Sequence, residues 1–300
     1  MTIYRTAGDR PRIDREEQLL CETPRIRVGV FEARIEDPHF RESGAPGEYL
    51  LVFPLTSVRL ELESMRPFVA DRNVVTFYNP DQVYRRSVAS RHGDRAHWFG
   101  LEPEAVEQIL GASGSRPPAA AGRLFPFAVG PCDTRSYELQ LGLIKDLASP
   151  TPPAASEVEE RVLEICRRVA RWACGAGGRH SASPRLGRCD WVEAAREYLA
   201  VHYAESSSVH DVAGAVGCSP YHLCRRFRRE TGLTMHAYRE CLRLRRALIE
   251  LDDRRGDLTG LALELGYSSH SHFTVAFRRM FGLTPSRYSS ARWSPRQISG

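Results

Sequence analysis

The amino-acid sequence predicts an α+β protein of two domains, the first rich in β-strands and the second all-α. Three observations support this fold class: apolar residues alternate up to about residue 101, helical periodicity follows, and an internal repeat fills the C-terminal third. The chain has 300 residues, of which 42% are hydrophobic, enough to bury two ordinary cores. We therefore expect a boundary between two separately packed domains.

Short strands are predicted throughout the first hundred residues. From Val58 to Glu63 apolar and charged residues alternate, as they do in a half-buried strand. Turn signals such as Asn79-Pro80-Asp81 separate the apolar runs. The other runs lie at residues 26–30, 49–53, 74–78, 83–88 and 96–99. This spacing is typical of a small antiparallel barrel or sandwich, which we place within residues 1–125.

Helical periodicity begins after residue 102. We expect a short helix from Pro103 to Leu110 that Gly111 terminates, and longer helices at residues 134–148 and 156–174. The last helix carries an apolar stripe at steps of three and four. The stripe consists of Val158, Val162, Ile165, Val169 and Trp172. It either packs on its own domain or makes residues 126–175 a helical dimerisation segment.

A segment without periodicity separates the two domains. Residues 176–188 are rich in glycine, serine and arginine, which is typical of a flexible linker. We therefore assign residues 189–290 to the second domain and residues 291–300 to a tail.

The second domain repeats itself at an offset of about 50 residues. Phe227-Arg228-Arg229 returns as Phe277-Arg278-Arg279, and a Gly-Leu-Thr sequence follows both. Each copy has a short apolar helix, a glycine that permits positive φ (Gly217 or Gly266), and a second helix. This order predicts two helix-turn-helix units, at about 209–229 and 258–279. Apolar periodicity between them predicts one helix of about 17 residues, roughly 25 Å long, which suits two readers one duplex turn apart.

The outer face of the second helix in each unit carries side chains suited to DNA. Arg225 is the strongest candidate for base readout, because a guanidinium group can donate two hydrogen bonds to guanine O6 and N7. Four further arginines suit phosphates, with ion pairs inside the helix as the alternative: Arg226, Arg229, Arg278 and Arg279. The remaining candidates lie near the helix starts, where they contact bases or phosphates or only cap and pack: Ser219, Tyr221, His222, Ser269, His270, Ser271, His272 and Thr274.

Charge and composition restrict the classes of partner that the protein can bind. The net charge is +5, and 16 arginines against 12 acidic residues lie between Asp190 and Gly300, so the excess is concentrated in the repeat. No apolar stretch reaches the roughly 18 residues of a membrane helix, and the first 17 residues lack the apolar core of a signal peptide. We expect a soluble cytoplasmic protein without a membrane partner. The eight cysteines form no C-x-x-C pair, which favours reduced buried thiols over a zinc site or a redox sensor.

At about residues 191–288 the sequence resembles the DNA-binding domain of the AraC/XylS family. The matching motifs are Gly266-Tyr267-Ser268, Ser271-His272-Phe273, Phe277-Arg278-Arg279 and Gly282-Leu283-Thr284-Pro285 with Tyr288. The N-terminal part resembles, more weakly, the family's cupin-like antiparallel β-barrel, which binds effectors. The resemblance implies a transcription regulator, an activator more often than a repressor. It also implies double-stranded promoter DNA, a homodimer, RNA polymerase and a small-molecule effector as partners.

Two positions depart from the family pattern. Val275 stands where many members carry arginine, and Ser289 replaces the arginine that usually follows the final tyrosine. We therefore expect the second unit to read bases weakly and to hold mainly the DNA backbone. Val275 is still able to pack on a thymine methyl group.

The first domain offers aromatic side chains that either line an effector pocket or fill a core. They are Phe31, Tyr49, Phe53, Phe77, Tyr84 and Trp98. A metal-binding or enzymatic cupin protein with secondary DNA binding is the alternative function. The spaced His and Glu ligands of such enzymes are absent, so we expect no metal, cofactor or catalytic residue. A DNA-repair methyl acceptor is disfavoured, because only Cys21 lies in the first 100 residues.

Overall fold

The computed structural model describes residues 16–37, 40–41, 44–63, 65–112, 123–175, 191–254 and 256–290. The chain divides into two compact units. The first comprises Met1–Ser136 and Leu143–Gly187, and the second comprises Tyr137–Gly142 and Arg188–Gly300. A sheet-rich N-terminal part and a helical C-terminal part confirm the predicted fold class in outline. The predicted linker at 176–188 and tail at 291–300 lie outside the described residues.

Two antiparallel sheets form the β-rich part of the first unit. Their strands are β1 (Glu16–Glu22), β2 (Ile26–Ala33), β3 (Tyr49–Pro54), β4 (Val58–Leu62), β5 (Phe68–Ala70), β6 (Val74–Tyr78), β7 (Tyr84–Val88), β8 (Asp94–Leu101) and β9 (Val129–Pro131). One sheet has the order β1-β2-β8-β3-β6-β9 and the other β5-β4-β7. Within the described residues the sheets do not close into a barrel, so they match the sandwich that the alternation left open. The sequence did not predict β1, β5 or β9.

A hydrophobic cluster joins β4, β5 and β7 to one face of the larger sheet. Leu60 and Leu62 are buried in it, as their alternation with charged residues predicted. Arg86 lies beside this cluster with its side chain 1% exposed, and its Nη1 donates to Asp94 Oδ2 at 2.8 Å. Its guanidinium lies 4.7 Å from the centre of the Phe31 ring. A buried charge of this kind is tolerated because it is paired.

The six aromatic candidates for an effector pocket or a filled core lie on two faces of the larger sheet. In β3, Val52 pairs with Trp98, whereas its neighbour Leu51 pairs with Phe77. Directly paired residues point to the same face and successive residues to opposite faces. Phe31, Tyr84 and Trp98 therefore lie on the side that the second sheet covers. Tyr49, Phe53 and Phe77 lie on the other side, where Phe77 packs on Phe127 at 4.7 Å between ring centres.

Three helices complete the described first unit: α1 (Pro103–Ala112), α2 (Thr134–Leu147, whose middle residues fall in the second unit) and α3 (Ala155–Gly175). Gly111 lies inside α1 and does not terminate it, contrary to the prediction. Four residues of the α3 stripe are buried against their own unit, including Val158 and Val169, each 0% exposed. Trp172, the fifth, is 53% exposed. Packing on its own domain, the first of the two interpretations of the stripe, therefore accounts for most of its residues.

Seven helices form the described C-terminal part of the second unit. They are α4 (Trp191–Val201), α5 (Val209–Val216), α6 (Pro220–Thr231), α7 (Met235–Glu250), α8 (Leu258–Glu264), α9 (His270–Phe281) and α10 (Pro285–Ser290). We call α5 with α6 the first helix pair and α8 with α9 the second. Between the pairs α7 has 16 residues and is about 24 Å long, close to the predicted strut. The sequence analysis did not identify α4.

Candidate nucleic-acid interface

The first helix pair begins and ends at residues whose chemistry suits those positions. Ser208 and Asp211 form a capping box at the start of α5, and Gly217 ends the helix with φ at 68°. Ser219 then caps α6, with its hydroxyl accepting from the His222 backbone N–H at 3.4 Å, and Pro220 takes the first helical position. The predicted turn and cap are thus confirmed. Their effect is to fix the direction in which α6 leaves the turn.

The second helix pair repeats this construction. Gly266 takes φ at 81°, and Ser269 caps α9 by accepting from the His272 backbone N–H at 3.2 Å. Phe273 and Phe277 are both 0% exposed and hold the inner side of α9, as predicted. The hydroxyls of Ser219 and Ser269, both predicted to contact DNA, therefore serve helix starts in this structure.

The outer face of α6 presents aromatic and basic side chains. Tyr221 is 71% exposed, and its ring meets that of His222 edge to face at 5.8 Å. His222 Nδ1 lies 2.9 Å from Ser219 Oγ, which fixes the imidazole near the helix start. Arg225 and Arg229 are exposed further along the helix. These side chains can reach a ligand that approaches the helix from outside.

Arg226 and Arg229 of α6 share Glu230 as an ion-pair partner. Arg229 Nη2 donates to Glu230 Oε1 at 3.4 Å. Arg226 Nη2 donates to the same oxygen at 3.1 Å, one turn along the same helix. Its guanidinium also lies 5.7 Å from the centre of the Trp191 ring on α4. This is the intrahelical ion pair that the sequence left open as an alternative. Arg226 thus ties α6 to α4, and a phosphate contact would have to compete with Glu230.

The outer face of α9 is polar and basic around one apolar residue. Ser271 and His272 are exposed near its start, and His270 and Thr274 are half-buried, with Thr274 Oγ1 3.5 Å from His270 Nε2. The Arg279 side chain is 72% exposed. Arg278 and Val275 are exposed as well. Since α9 contains no acidic residue, its outer face attracts anions.

Arg243 of α7 connects the two helix pairs. Its Nε donates to the Tyr203 carbonyl at 2.6 Å and its Nη2 to the Glu205 carbonyl at 3.0 Å, in the loop between α4 and α5. The guanidinium also lies 5.5 Å from the ring centre of Tyr267, in the turn of the second pair. Gly266 approaches the same loop so closely that an added Cβ would collide with the Ala204 carbonyl. Burial lowers the pKa of Arg243. Its contacts join the loop before the first helix pair to the turn of the second pair.

Sequence reasoning missed two cations of this domain. Arg243 escaped notice because it is one of four arginines among the apolar residues of α7 and gives no periodic signal of its own. Arg287 is exposed and lines a shallow cleft with Arg278 and Thr284, beside the C-terminal end of α9. The repeat gives no signal for Arg287, because the first copy has Ala237 at the corresponding position.

Comparison with known proteins places this domain in a family. The family model described as a helix-turn-helix domain matches residues 212–291. The chain is similar to the uncharacterized HTH-type transcriptional regulator YbfI of Bacillus subtilis (39% identity over 85 residues, 28% of this chain and 30% of YbfI). It is also similar to the HTH-type transcriptional activator RhaS of Escherichia fergusonii (34% over 101 residues, 34% and 33%). A third relative is the bifunctional transcriptional activator/DNA repair enzyme AdaA of Bacillus subtilis (28% over 102 residues, 33% and 47%).

The second unit therefore carries an AraC-type helix-turn-helix domain, as the sequence motifs indicated. The aligned segment spans about a third of YbfI and of RhaS and about half of AdaA, so the likeness concerns this domain alone. Among the described residues no group of three or more His, Cys, Asp or Glu side chains could hold a metal ion. None of the helices in the described segments combines the length and apolar character that a membrane crossing needs.

Proposed function

We propose that the protein is a sequence-specific transcription regulator whose α6 and α9 enter adjacent major grooves of promoter DNA, each helix pair acting as a helix-turn-helix unit. The observation that carries this proposal is the pair of capped helices with exposed basic outer faces, joined through α7. An α-helix fits the major groove, and a separation near 34 Å matches one duplex turn. The length of α7, about 24 Å, together with the width of the two pairs suits that separation.

The exposed cations divide into two roles under this proposal. Arg225 reads a guanine, because it lies on the first half of α6, where side chains reach base edges. Arg229, Arg278 and Arg279 neutralise phosphates and fix the register without reading sequence. Arg226 contributes less than predicted, because its side chain is less exposed than that of Arg229 and lies over Trp191 as well as beside Glu230. Tyr221, His222, His270, Ser271, His272 and Thr274 lie close to the helix starts and contact bases or nearby phosphates.

The first unit acts as the regulatory part in this proposal. Its sheets take the role of the family's cupin-like effector-binding domain, and an effector shifts the balance between two arrangements of the regulator. Of the two surfaces that the aromatic candidates occupy, the inter-sheet side suits a small molecule better. It combines Phe31 and Tyr84 with the buried Arg86–Asp94 pair, so apolar walls surround a polar group.

Dimerisation, activation and a cytoplasmic location belong to the same proposal. Residues 126–175 supply the dimer contact, and on α3 this contact uses the exposed Trp172, since the other stripe residues are buried in their own unit. The DNA-bound dimer contacts RNA polymerase and activates transcription in the cytoplasm. Size-exclusion chromatography with light scattering tests the dimer: Trp172→Ala should raise the monomer fraction, and an unchanged dimer would exclude this contact.

An enzymatic role is the weaker alternative. AdaA, whose name includes DNA repair, aligns with only a third of this chain. A methyl acceptor would need clustered zinc cysteines, whereas Cys21 is the only cysteine in the first 100 residues. We therefore propose a regulator without catalytic residues, metal or cofactor. Near-stoichiometric iron, zinc or copper in the purified protein would favour a metal-binding barrel instead.

Site selection followed by titration tests the function. The full chain is used to select binding sites from random duplex DNA, and its affinity for the selected site is measured by fluorescence anisotropy at increasing salt. Three phosphate contacts predict that affinity falls roughly 40-fold between about 50 and 200 mM salt. Recovery of a sequence motif together with this salt dependence supports the proposal. Failure to enrich any sequence, or affinity that is independent of salt, would exclude it.

A further inference from the structure

Val275 is an exposed apolar side chain on a basic helix face. It is 66% exposed, one of the most exposed large hydrophobic residues described in the chain. Ser271 lies one turn before it on the same face, and Arg278 and Arg279 lie one turn after it. An apolar side chain in water is unfavourable, so exposure of Val275 does not stabilise the protein. Nor does it add to solubility, which the neighbouring polar residues provide. This combination suggests a contact with an apolar group on a polar, anionic partner.

The internal repeat gives the position of that contact. Val275 corresponds to Arg225 at the offset of 50 residues, and each lies two residues before a phenylalanine that is 0% exposed, Phe227 or Phe277. Because α6 and α9 both have 12 residues and both start at a serine cap, the two side chains leave their helices at the same height and on the same side. Val275 therefore faces whatever Arg225 faces in the first unit.

We infer that Val275 is a specificity-determining residue that packs against the 5-methyl group of a thymine in the second major groove. This inference rests on the proposed function. The thymine methyl is the apolar group that base pairs expose in the major groove, and valine can cover it without leaving a donor or acceptor unpaired. Against guanine, adenine or cytosine the same side chain would cover polar base edges that it cannot satisfy. The two units thus read different chemistry, guanine through Arg225 and thymine through Val275.

Replacing thymine by deoxyuridine tests this contact, because it removes only the methyl group. In the selected site each thymine of the second half-site is replaced in turn. One replacement should weaken binding of the parent protein about fourfold, the change that burial of one methyl group produces. The Val275→Ala protein should bind the thymine and deoxyuridine sites equally at that position. Leu263→Ala is the matched control: Leu263 is an exposed aliphatic residue on α8, 57% exposed, and its variant should keep the parent's sensitivity.

Placing the arginine of the first unit at position 275 of the second gives a complementary test. Val275→Arg should change the preferred base at the same position from thymine to guanine, with discrimination of roughly 5- to 150-fold. The inference is overturned if no thymine replacement matters, if Val275→Ala retains the sensitivity, or if Val275→Arg leaves the preferred base unchanged. If the proposed function itself is wrong, the parent protein selects no DNA site, and this outcome distinguishes the two failures. A site that depends on Arg225 but not on Val275 would refute this inference alone.

Discussion

The two helix pairs agree in their buried residues and differ on their outer faces. Leu223 and Phe273 occupy the same position in α6 and α9, and both are 0% exposed. On the outside, Tyr221 corresponds to Ser271 and Arg225 to Val275. The inner positions share one task, which is to pack each pair, so they tolerate only apolar residues of suitable size. The outer positions are free to differ, so each pair can recognise its own DNA sequence.

The pairs also differ in how tightly their turns are packed. Gly217 and Gly266 both adopt positive φ, yet an added Cβ on Gly217 would meet no atom within 4 Å, whereas one on Gly266 would collide with the Ala204 carbonyl. The second turn is thus part of the junction that Arg243 organises, and the first turn lies in open space. The four predictions that follow test this comparison, beginning with the largest effect.

Truncation of the two central phenylalanines should be the most damaging change. Phe227 packs on Tyr238 and Phe277 on Phe281, at 5.3 and 4.6 Å between ring centres. Phe227→Ala and Phe277→Ala should each cost about 3–5 kcal/mol, because each leaves a cavity that cannot collapse fully. Hydrogen exchange should show lost protection first in the helix pair that carries the change. Tyr221→Ala, at an exposed position, is the control and should leave protection unchanged; equal loss in all three variants would contradict the account.

Substitution of the turn glycines should destabilise the protein to different extents in the two helix pairs. Gly217→Ala should cost about 1–2 kcal/mol, the strain of a left-handed alanine. Gly266→Ala should cost distinctly more, because its Cβ also displaces the loop that Arg243 holds. The midpoints of urea unfolding, followed by the fluorescence of the intact chain, give the comparison. If the two variants lose the same stability, the second turn is not packed as described.

Loss of Arg225 should affect DNA recognition more than stability. Arg225→Ala should weaken binding to the selected site by about 1–3 kcal/mol and flatten the preference at one base pair, because bidentate readout of guanine is lost. Arg228→Ala, a change at another exposed arginine of α6, should matter less. Anisotropy titrations with matched and single-mismatch duplexes measure both quantities. An Arg225→Ala protein that binds every sequence as the parent does would remove the assigned role.

The smallest expected effect is on thermal stability at low pH. The backbone N–H and hydroxyl of Ser208 donate to Asp211 and hold the pKa of that carboxyl below its usual range. Because the folded pKa is depressed, the stabilisation is fully present above the unfolded value of 3.8 and is lost as pH falls through the lower folded value. The thermal midpoints of the parent and of Ser208→Ala should differ more at about pH 6 than in acid, where only the bond from the Asp211 N–H to the Ser208 hydroxyl still separates them. A difference that is the same at both pH values would show that the Asp211 carboxylate plays no part in the cap.

Local chemistry allowed much of the fold to be predicted from the sequence. The alternation at residues 58–63 gave β4, and Gly217, Ser219 and Pro220 gave the turn and the start of α6, because each of these signals depends only on neighbours in the chain. Gly111 shows the limit of such rules, since α1 continues through it to Ala112. β5 pairs with β4, the strand just before it, but its three residues are too few to show alternation. β9 forms by pairing with the distant β6, so no local pattern predicted it.

The candidate site was predicted less completely, because several of its contacts join residues that are far apart in the sequence. Sequence alone identified Arg225 and Val275 as outward-facing, because helical periodicity fixes which side of α6 or α9 is apolar. It left the intrahelical ion pair of Arg226 open as an alternative, but it could not foresee that Arg226 lies over Trp191, since α4 had not been identified. The junction around Arg243 was equally hidden, because its partners are backbone carbonyls, which carry no sequence signal.

Footprinting on the selected site tests the central claim most directly, namely that the two helix pairs present their outer faces to the same side of one duplex. Hydroxyl-radical cleavage of DNA bound by the full chain should show two protected patches on one face, with centres about 10 base pairs apart for each bound chain. Arg225→Ala should weaken one patch and Val275→Ala the other. A single patch per chain, or two patches about half a turn out of phase, would contradict the proposed arrangement.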